Sequence, residues 1–433
     1  MNALMKLLIL APCCFFFIAL IKLLYDYLWI PLRIQHMLNS QGIKGPPYRF
    51  IHGNNMEVTK MKQNALSKSV ALTDDLFPKL FGQNMTPAII ASVETMLEKW
   101  KGQEGKEIEV YQEFRLLTSE VISRTAFGSN YMEGEKIFAI VRKLTVIMSR
   151  NLSKTRIPLI SKLWKSADLL ESEKLSKEMK DRVMKIVKKR EDKVVNGEVN
   201  SFRSDLLGLL LNAYYDSDAK NRLSLEDVVA ECKTLYFAGQ ETVNSLLAWI
   251  VLHLAILGDW QEKARRELVD IFGNQNPHLE GIAKLKIMTM IINEALRLYD
   301  PTNVLQRTGT REIQLGKLIL PANIDILPLS IGLHRDPHFW GNDVHHFKPE
   351  RFVEGIAKAT NYTAAAFFPF GLGPRSCVGM TFAMIETKIA LSMILQRYTI
   401  TLSPAYVHSP VLILTLQPQN GIQVILEPIH SNA

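Results

Sequence analysis

One short string combines a cysteine with glycines, an arginine and a phenylalanine at spacings that suit a metal-bound thiolate. It reads Phe370-Gly371-Leu372-Gly373-Pro374-Arg375-Ser376-Cys377-Val378-Gly379. Cys377 stands just before a predicted helix, where backbone N–H groups and the helix dipole favour negative charge. The thiolate is the form of cysteine that ligates iron. The string therefore predicts an iron site at Cys377.

The neighbours of Cys377 suit a flat macrocycle around that iron. Gly373 and Gly379 allow tight turns and close approach of the ring. Arg375 can pair with a propionate carboxylate, and Phe370 can pack on the ring near the sulfur. A lone cysteine is normally a buried small hydrophobe, but here five positions agree. We expect a haem site in which Cys377 is the axial ligand.

This string resembles the haem-binding signature F-x-x-G-x-R-x-C-x-G of the cytochrome P-450 family. The resemblance implies a mainly α fold with small β-sheets and a haem cofactor. Ala238-Gly239-Gln240-Glu241-Thr242 is similar to the family's A-G-x-E-T motif. The resemblance implies that Glu241 and Thr242 form an acid–alcohol pair relaying protons to bound dioxygen. A glycine in the middle of a helix also permits a local opening beside the iron.

Two further motifs resemble those that brace the haem pocket in this family. Glu294-Ala295-Leu296-Arg297 matches E-x-x-R, and Pro349-Glu350-Arg351-Phe352 matches P-E-R-F. The spacing of E-x-x-R places both charges on one helical face, so an ordinary ion pair is the alternative. The resemblance implies a buried structural triad of Glu294, Arg297 and Arg351, whose loss abolishes haem incorporation. It also implies that Arg307 binds a second propionate; a solvent-exposed arginine is the alternative.

The implied function is a monooxygenase that inserts one atom of dioxygen into an apolar organic substrate, with electrons from an NADPH-dependent reductase. The amino-acid sequence of residues 333–337 and 340–352 is similar to that of a plant clan of the family, which includes secologanin synthase and brassinosteroid-inactivating enzymes. A terpenoid, steroid or hormone-like substrate is therefore expected. Side chains expected to face it, each of which could instead be core, are Leu235, Ala238, Val304, Leu305, Leu412 and Ile413.

The N-terminal segment predicts a membrane anchor. Residues 7–21 are mostly apolar and lie between Lys6 and Lys22. A bilayer-crossing helix needs about 20 residues, a length reached if Lys22 snorkels and the helix continues towards Trp29. A cleaved signal peptide is the rival reading. We expect an anchor over residues 1–30, a Pro-containing hinge over 31–52 and a catalytic domain over 53–433, cytosolic at the endoplasmic reticulum membrane.

Composition narrows the class of protein. The 433 residues are 47% hydrophobic with a net charge of +8, which is typical of a globular chain and lacks the dense basic stripe of a nucleic-acid binder. Of the four cysteines, Cys13 and Cys14 lie in the apolar N-terminal segment, and Cys232 and Cys377 are far apart in sequence, so they make no disulfide framework.

The pattern of apolar and capping residues predicts a long helix that begins at Ser224 and Asp227 and ends near Gly258. It also predicts a helix over 287–298, a final helix over 378–398, and a closing hairpin of 411–416 with 421–426.

The resemblance fails in one interval. Residues 53–85 number 33, where the family has the strands of its first sheet, helices B and C, and a W-x-x-x-R motif on helix C; the interval holds no tryptophan. The sequence thus predicts an N-terminally incomplete fold, as an isoform or an incomplete gene model. The alternative function is a relative that binds haem poorly or is inactive. A third possible function is that of a hydroperoxide-rearranging member of the family. Such enzymes often lack the acid–alcohol pair, so the presence of Glu241 and Thr242 disfavours it. Asp300 also departs from the family, which usually has proline there.

Overall fold

A computed structural model describes residues 18–42, 85–128, 131–151, 166–197, 202, 205–216 and 222–429. Contacts divide the chain into two units. The smaller comprises Met1–Gln63, Ser149–Ser166 and Gln306–Pro328; the larger comprises Asn64–Met148, Ala167–Leu305 and Leu329–Ala433. Most of the predicted anchor and all of the interval 53–85 except Met85 lie outside the described residues.

Helices dominate the described residues. They are α1 (Ile30–Ser40), α2 (Thr86–Trp100), α3 (Val110–Phe127), α4 (Tyr131–Asn151), α5 (Ala167–Val195), α6 (Leu206–Tyr214), α7 (Leu225–Ile256), α8 (Gly258–Phe272), α9 (Leu279–Lys284), α10 (Lys286–Leu298), α11 (Ser330–His334), α12 (Pro337–Trp340), α13 (Ile356–Ala359) and α14 (Met380–Leu395). A π-helical turn, Tyr25–Trp29, precedes α1, and short 3₁₀ turns cover Pro349–Phe352, Ala364–Ala366 and Gly373–Arg375. The predicted fold class is confirmed.

The long helix α7 forms the centre of the larger unit. Its first turn is closed by a capping box, in which the Asp227 amide donates to Ser224 Oγ at 3.1 Å and the Ser224 amide donates to Asp227 Oδ2 at 3.0 Å. Most of its C-terminal half is buried, and Leu247 and Trp249 have no exposed surface. Each such side chain contributes about 1.5–3 kcal/mol of burial free energy. The predicted start and length of this helix are confirmed.

The strands are short and antiparallel. They are β1 (Glu107–Glu109), β2 (Arg307–Thr308), β3 (Ile313–Leu315), β4 (Leu318–Leu320), β5 (Asp325–Ile326), β6 (Tyr398–Leu402), β7 (Pro410–Leu412), β8 (Leu416–Pro418) and β9 (Gln423–Pro428). In the smaller unit β2 pairs with β5 and β3 with β4. In the larger unit β7 pairs with β8, and β9 lies between β1 and β6.

The predicted closing hairpin of 411–416 with 421–426 is wrong. Val411 pairs with Gln417 in a hairpin that turns within residues 413–415. Residues 423–428 instead complete a sheet with β6 and β1, because Val424 and Leu426 bury one face of the strand in the core. The helices predicted over 287–298 and 378–398 are confirmed as α10 and α14, with the second one shorter.

Within the residues that the structure describes, no single helix is long and apolar enough to cross a bilayer. The helices α7 and α8 reach the required length and apolar content only when taken together across a bend of 110°.

Candidate active site

Residues 370–379, here called the cysteine loop, hold Cys377 in a compact turn. The Cys377 amide donates to the Phe370 carbonyl at 2.7 Å, and the Gly371 amide donates to the Phe368 carbonyl at 2.9 Å. The 3₁₀ turn Gly373–Arg375 lies between them, and α14 begins three residues after the cysteine. The loop therefore fixes the backbone of Cys377 from both sides.

The two predicted glycines serve different purposes. Gly373 has a φ of +75°, a conformation that L side chains rarely adopt, so the tight-turn prediction holds there. Gly379 has a φ of −88°, which any residue adopts. A Cβ at Gly379 would lie 3.9 Å from the Cys377 sulfur, so this glycine keeps the space beside the sulfur open.

The electrostatics at Cys377 differ from the sequence prediction. Burial of the sulfur raises the pKa of the Cys377 thiol, and a hydrogen bond from the Gly379 amide lowers it by less. The residue as a whole still has exposed surface. The backbone environment alone thus does not hold the thiolate, because one amide does not offset the loss of solvent.

The donor set and surface of the cysteine loop fit a haem. Leu372, Val378 and Met380 are large apolar side chains that are about half exposed around Cys377. Phe370 packs against the edge of the core, and Arg375 is exposed on the same loop. Exposed apolar side chains next to a single soft sulfur donor suit an apolar macrocycle that carries iron.

Glu241 and Thr242 lie side by side on α7 but in different surroundings. Glu241 is buried, and Gln417 of β8 donates to its Oε2 at 3.1 Å. Burial raises the pKa of Glu241, while Arg115 and Arg142 lower it by less. Thr242 is partly exposed, and its hydroxyl donates to the Ala238 carbonyl at 2.7 Å. The Glu241 carboxyl is thus buried and desolvated, whereas the Thr242 hydroxyl lies on a more open face of the helix.

The structure shows no local opening at Gly239, which the sequence permits there: α7 is α-helical throughout. A Cβ on Gly239 would overlap Cγ1 and Cδ1 of Ile122, which is buried on α3. Gly239 therefore allows α3 and α7 to approach closely.

The structure brings Glu294, Arg297 and Arg351 together. Arg297 donates from Nε to Glu294 Oε2 at 2.8 Å and from Nη2 to Oε1 at 2.7 Å, and neither side chain has exposed surface. Arg351 Nε lies 3.5 Å from Glu294 Oε1. A two-point guanidinium–carboxylate pair is both directional and strong.

Each member of this cluster also forms a hydrogen bond with the backbone of residues 334–348. Arg297 Nη1 donates to the His334 carbonyl at 2.8 Å, and the Lys348 amide donates to Glu294 Oε1 at 2.8 Å. Arg351 donates to the Trp340 and Asp343 carbonyls at 2.8 and 2.7 Å. These charges therefore hold the connection between α11 and the cysteine loop onto α10.

The other residues predicted from the sequence to face the haem or the substrate differ in how buried they are. Arg307 lies in the smaller unit on β2, where its Nη1 donates to the Gln306 carbonyl at 2.9 Å, and its propionate role stays a prediction. Among the side chains expected to face substrate, Ala238 is exposed and Val304 is buried in a bridge to Leu329. Leu235, Leu305, Leu412 and Ile413 are partly buried.

Sequence reasoning missed two buried groups near this site. Glu386 on α14 has no exposed surface, and neither carboxyl oxygen has a hydrogen-bond partner among the residues that the structure describes. Its position as the one acid in the apolar stretch Met380–Leu395 was the available signal. His334 accepts a hydrogen bond from the Phe368 amide at 3.1 Å, directly before the cysteine loop.

Known proteins resemble the chain over nearly its whole length. A family model described as cytochrome P450 matches residues 60–426. The chain is 44% identical to cytochrome P450 CYP749A22 of Panax ginseng, over 96% of each chain. It is 35% identical to the 11-oxo-beta-amyrin 30-oxidase of Glycyrrhiza uralensis, over 93% of this chain and 94% of that one. It is 39% identical to the 7-deoxyloganic acid hydroxylase of Catharanthus roseus, over 80% of this chain and 68% of that one.

Proposed function

Because the chain belongs to the cytochrome P450 family, we propose that it is a haem-thiolate monooxygenase acting on an apolar terpenoid or steroid-like molecule. The observation that carries this proposal is the geometry of the cysteine loop. Its backbone hydrogen bonds hold Cys377 next to half-exposed apolar side chains, at a position where a single sulfur can reach a bound metal.

The residues of the loop divide the work of holding the cofactor. Cys377 would ligate the iron, with Phe370 packed beside it and Gly373 and Gly379 leaving room for the ring. Arg375 would bind a propionate, and the role expected of Arg307 from the sequence is to bind a second one. When bound, the haem supplies the activation of dioxygen.

The residues that would deliver protons to bound dioxygen are Glu241 and Thr242, in the middle of α7. Thr242 lies on the more open face and offers a hydroxyl that can exchange its bond to the Ala238 carbonyl for one to a ligand. Glu241, held by Gln417, is the buried acid beside it, and desolvation favours its protonated form. Glu241 can therefore store a proton, while Thr242 presents its hydroxyl on the open face. Adjacent side chains on a helix do not face each other, so a relay between the two would pass through a bridging group such as water.

The substrate class rests on the relatives. Two of them are a hydroxylase of 7-deoxyloganic acid and an oxidase of 11-oxo-beta-amyrin, both terpenoid compounds. Oxidation of a terpenoid carbon is therefore the reaction that we expect of this chain.

Electrons would come from NADPH through a reductase at the endoplasmic reticulum membrane, to which the N-terminal segment would anchor the chain. The described part of that segment supports membrane contact, since Ile18, Ile21 and Trp29 are each at least 60% exposed. Apolar side chains of this kind are stabilised by lipid.

A second candidate is a relative that holds haem weakly. The alignment with the Panax ginseng protein runs over 501 positions, whereas this chain has 433 residues, so at least 68 positions have no residue here. The short interval 53–85 is where the sequence predicts that loss. The Glu386 carboxyl, which has no partner within the described part of the chain, supports it, because buried polar groups in complete folds nearly always have a partner.

Expression of two chains tests the proposal. One is the present chain, and the other carries the corresponding segment of the Panax ginseng relative in place of residues 53–85. Both are incubated with a plant reductase, NADPH and a panel of terpenoids. An oxygenated product from the present chain supports the proposal. Product from the extended chain alone supports the second candidate, and product from neither overturns the substrate class.

A further inference from the structure

A buried carboxylate ends the segment that carries E-x-x-R. Asp300 follows α10 and has no exposed surface. Its Oδ2 accepts a hydrogen bond from Ser330 Oγ at 2.6 Å, and its Oδ1 accepts from the Thr302 amide at 3.0 Å and the Thr302 hydroxyl at 3.1 Å. The side chain thus ties the end of α10 to the start of α11.

The imidazole of His334, the last residue of α11, lies between this carboxylate and the cysteine loop. Its Nε2 accepts a hydrogen bond from the Phe368 amide at 3.1 Å. Burial lowers the pKa of His334 to about 3, so the ring is neutral near pH 7. A neutral ring that accepts at Nε2 must carry its proton on Nδ1.

Two acceptors lie near that proton, although His334 Nδ1 forms no hydrogen bond within the described residues. Asp300 Oδ2 lies 3.8 Å from His334 Nδ1, which is an electrostatic contact longer than a hydrogen bond. The Leu296 carbonyl also interacts with the ring. Both favour the Nδ1–H tautomer. Burial raises the pKa of Asp300 to about 6, so near pH 7 its carboxyl is mostly charged and attracts this proton more strongly than a carbonyl does.

From Phe368 the contacts continue to the cysteine. The Phe368 carbonyl accepts from the Gly371 amide at 2.9 Å, and the Phe370 carbonyl accepts from the Cys377 amide at 2.7 Å. A continuous series of polar contacts therefore joins Asp300 to the backbone of Cys377.

We infer that Asp300 is a positioning residue for the cysteine loop: its carboxylate keeps the proton of His334 on Nδ1, so that Nε2 accepts the Phe368 amide and fixes where the loop begins. This inference deepens the proposed function, because the loop carries the iron ligand proposed above.

Amide hydrogen exchange, read by peptide-level mass spectrometry on the full chain without added haem, tests the inference. The variants are Asp300→Asn, His334→Gln and the double variant. We expect Asp300→Asn to speed exchange of the Phe368 amide about tenfold, the factor that corresponds to the loss of roughly one hydrogen bond. In the His334→Gln background the same change should alter the rate less than about twofold, because its route to the loop is gone.

Two controls separate positioning from general destabilisation. Ser330→Ala removes a donor to the same carboxylate but keeps the imidazole, so exchange at Phe368 should stay within about twofold. The Lys348 amide, which donates to Glu294, should keep its exchange rate in every variant.

Nitrogen NMR of the wild-type chain tests the tautomer directly. The His334 signal, identified by its loss in His334→Gln, should show a ring protonated at Nδ1.

An unchanged Phe368 rate in Asp300→Asn would mean that the Leu296 carbonyl suffices, and the inference is overturned. It is overturned equally by the same acceleration in both backgrounds, or by a ring protonated at Nε2. Because no haem is added, failure of the chain to bind haem would count against the proposed function and leave this result standing.

Discussion

Gln417 donates a hydrogen bond to Oε2 of Glu241 at 3.1 Å, and both side chains are buried. This contact joins β8 to the middle of α7 and gives a desolvated acid its neutral donor. Thr242, the next residue, has its own partner at the Ala238 carbonyl. The acid and the alcohol are thus held separately, which makes their contributions separable by substitution.

Replacing Gln417 and replacing Thr242 should affect different properties. Gln417→Leu leaves the Glu241 carboxyl without its donor, so we expect the free energy of unfolding to fall by about 1–3 kcal/mol. Thr242→Val is isosteric on a partly exposed face and should change that free energy by less than about 0.5 kcal/mol. It should instead lower product formation by roughly a hundredfold if the hydroxyl delivers protons. Urea unfolding and product assays check the pair, and equal turnover in Thr242→Val and wild type would contradict the role of Thr242.

Breaking the Glu294–Arg297 pair should unfold the larger unit or come close to it. Glu294→Gln leaves the Arg297 guanidinium buried without its counter-charge, which costs about 3–5 kcal/mol. Glu350→Gln, a change at an exposed acid of the P-E-R-F motif, serves as the matched control and should stay within about 0.5 kcal/mol. Urea unfolding measures both, and a similar small effect of the two substitutions would show that the cluster does not support the fold.

Glu386 should make stability depend on pH. Its pKa is raised well above the usual value by burial, so the folded chain keeps a proton that the unfolded chain releases above about pH 4.3. The stability contributed by this group is full below that pH and is lost as the pH rises through the raised folded-state pKa. We expect Glu386→Gln to gain stability over wild type as the pH increases from about 5 to 8. Unfolding curves across that range give the difference, and parallel pH profiles would mean that the carboxyl has a partner.

Removing both unpaired oxygens should stabilise the chain further. Glu386→Met has a similar volume and should raise the free energy of unfolding near pH 7 by about 1–3 kcal/mol. If the extended chain described above supplies a donor to Glu386, the same substitution should destabilise it.

A methyl group at Gly239 should push α3 and α7 apart. Gly239→Ala would overlap the Ile122 side chain, and overpacking of this kind costs about 1–3 kcal/mol. Ile122→Val removes Cδ1, the nearest atom, so the double variant should recover part of that loss. Thermal unfolding of the three variants checks this, and a stabilised Gly239→Ala would show that helix propensity outweighs the contact.

Local patterns predicted the parts of the fold that depend on local interactions. The capping box at Ser224 and Asp227 marked the start of α7, because its hydrogen bonds join residues three apart. The spacing of Glu294 and Arg297 likewise placed both charges on one face of α10. The cysteine loop was predicted as a turn from Gly373, whose positive φ confirms it.

Contacts between distant residues were not predictable in the same way. The sequence does not show that β9 pairs with β1 and β6, so a hairpin with its nearest neighbour was the natural but wrong assignment. The close contact that explains Gly239 was likewise not predictable, because Ile122, whose side chain packs against this glycine, lies on another helix. The departure at Asp300 was visible, but its partners Ser330 and His334 become neighbours only in the folded chain.

The absorption spectrum of the reduced, carbon monoxide-bound protein tests the central claim most directly. The chain is purified with haem supplied and compared with Cys377→Ala and with Cys232→Ala, a change at the buried cysteine of α7. If Cys377 ligates the iron, the wild type and Cys232→Ala will show the long-wavelength Soret band of thiolate ligation and Cys377→Ala will not. A band that survives in Cys377→Ala, or a wild-type chain that takes up no haem, would contradict the assignment of Cys377 as the iron ligand of this chain.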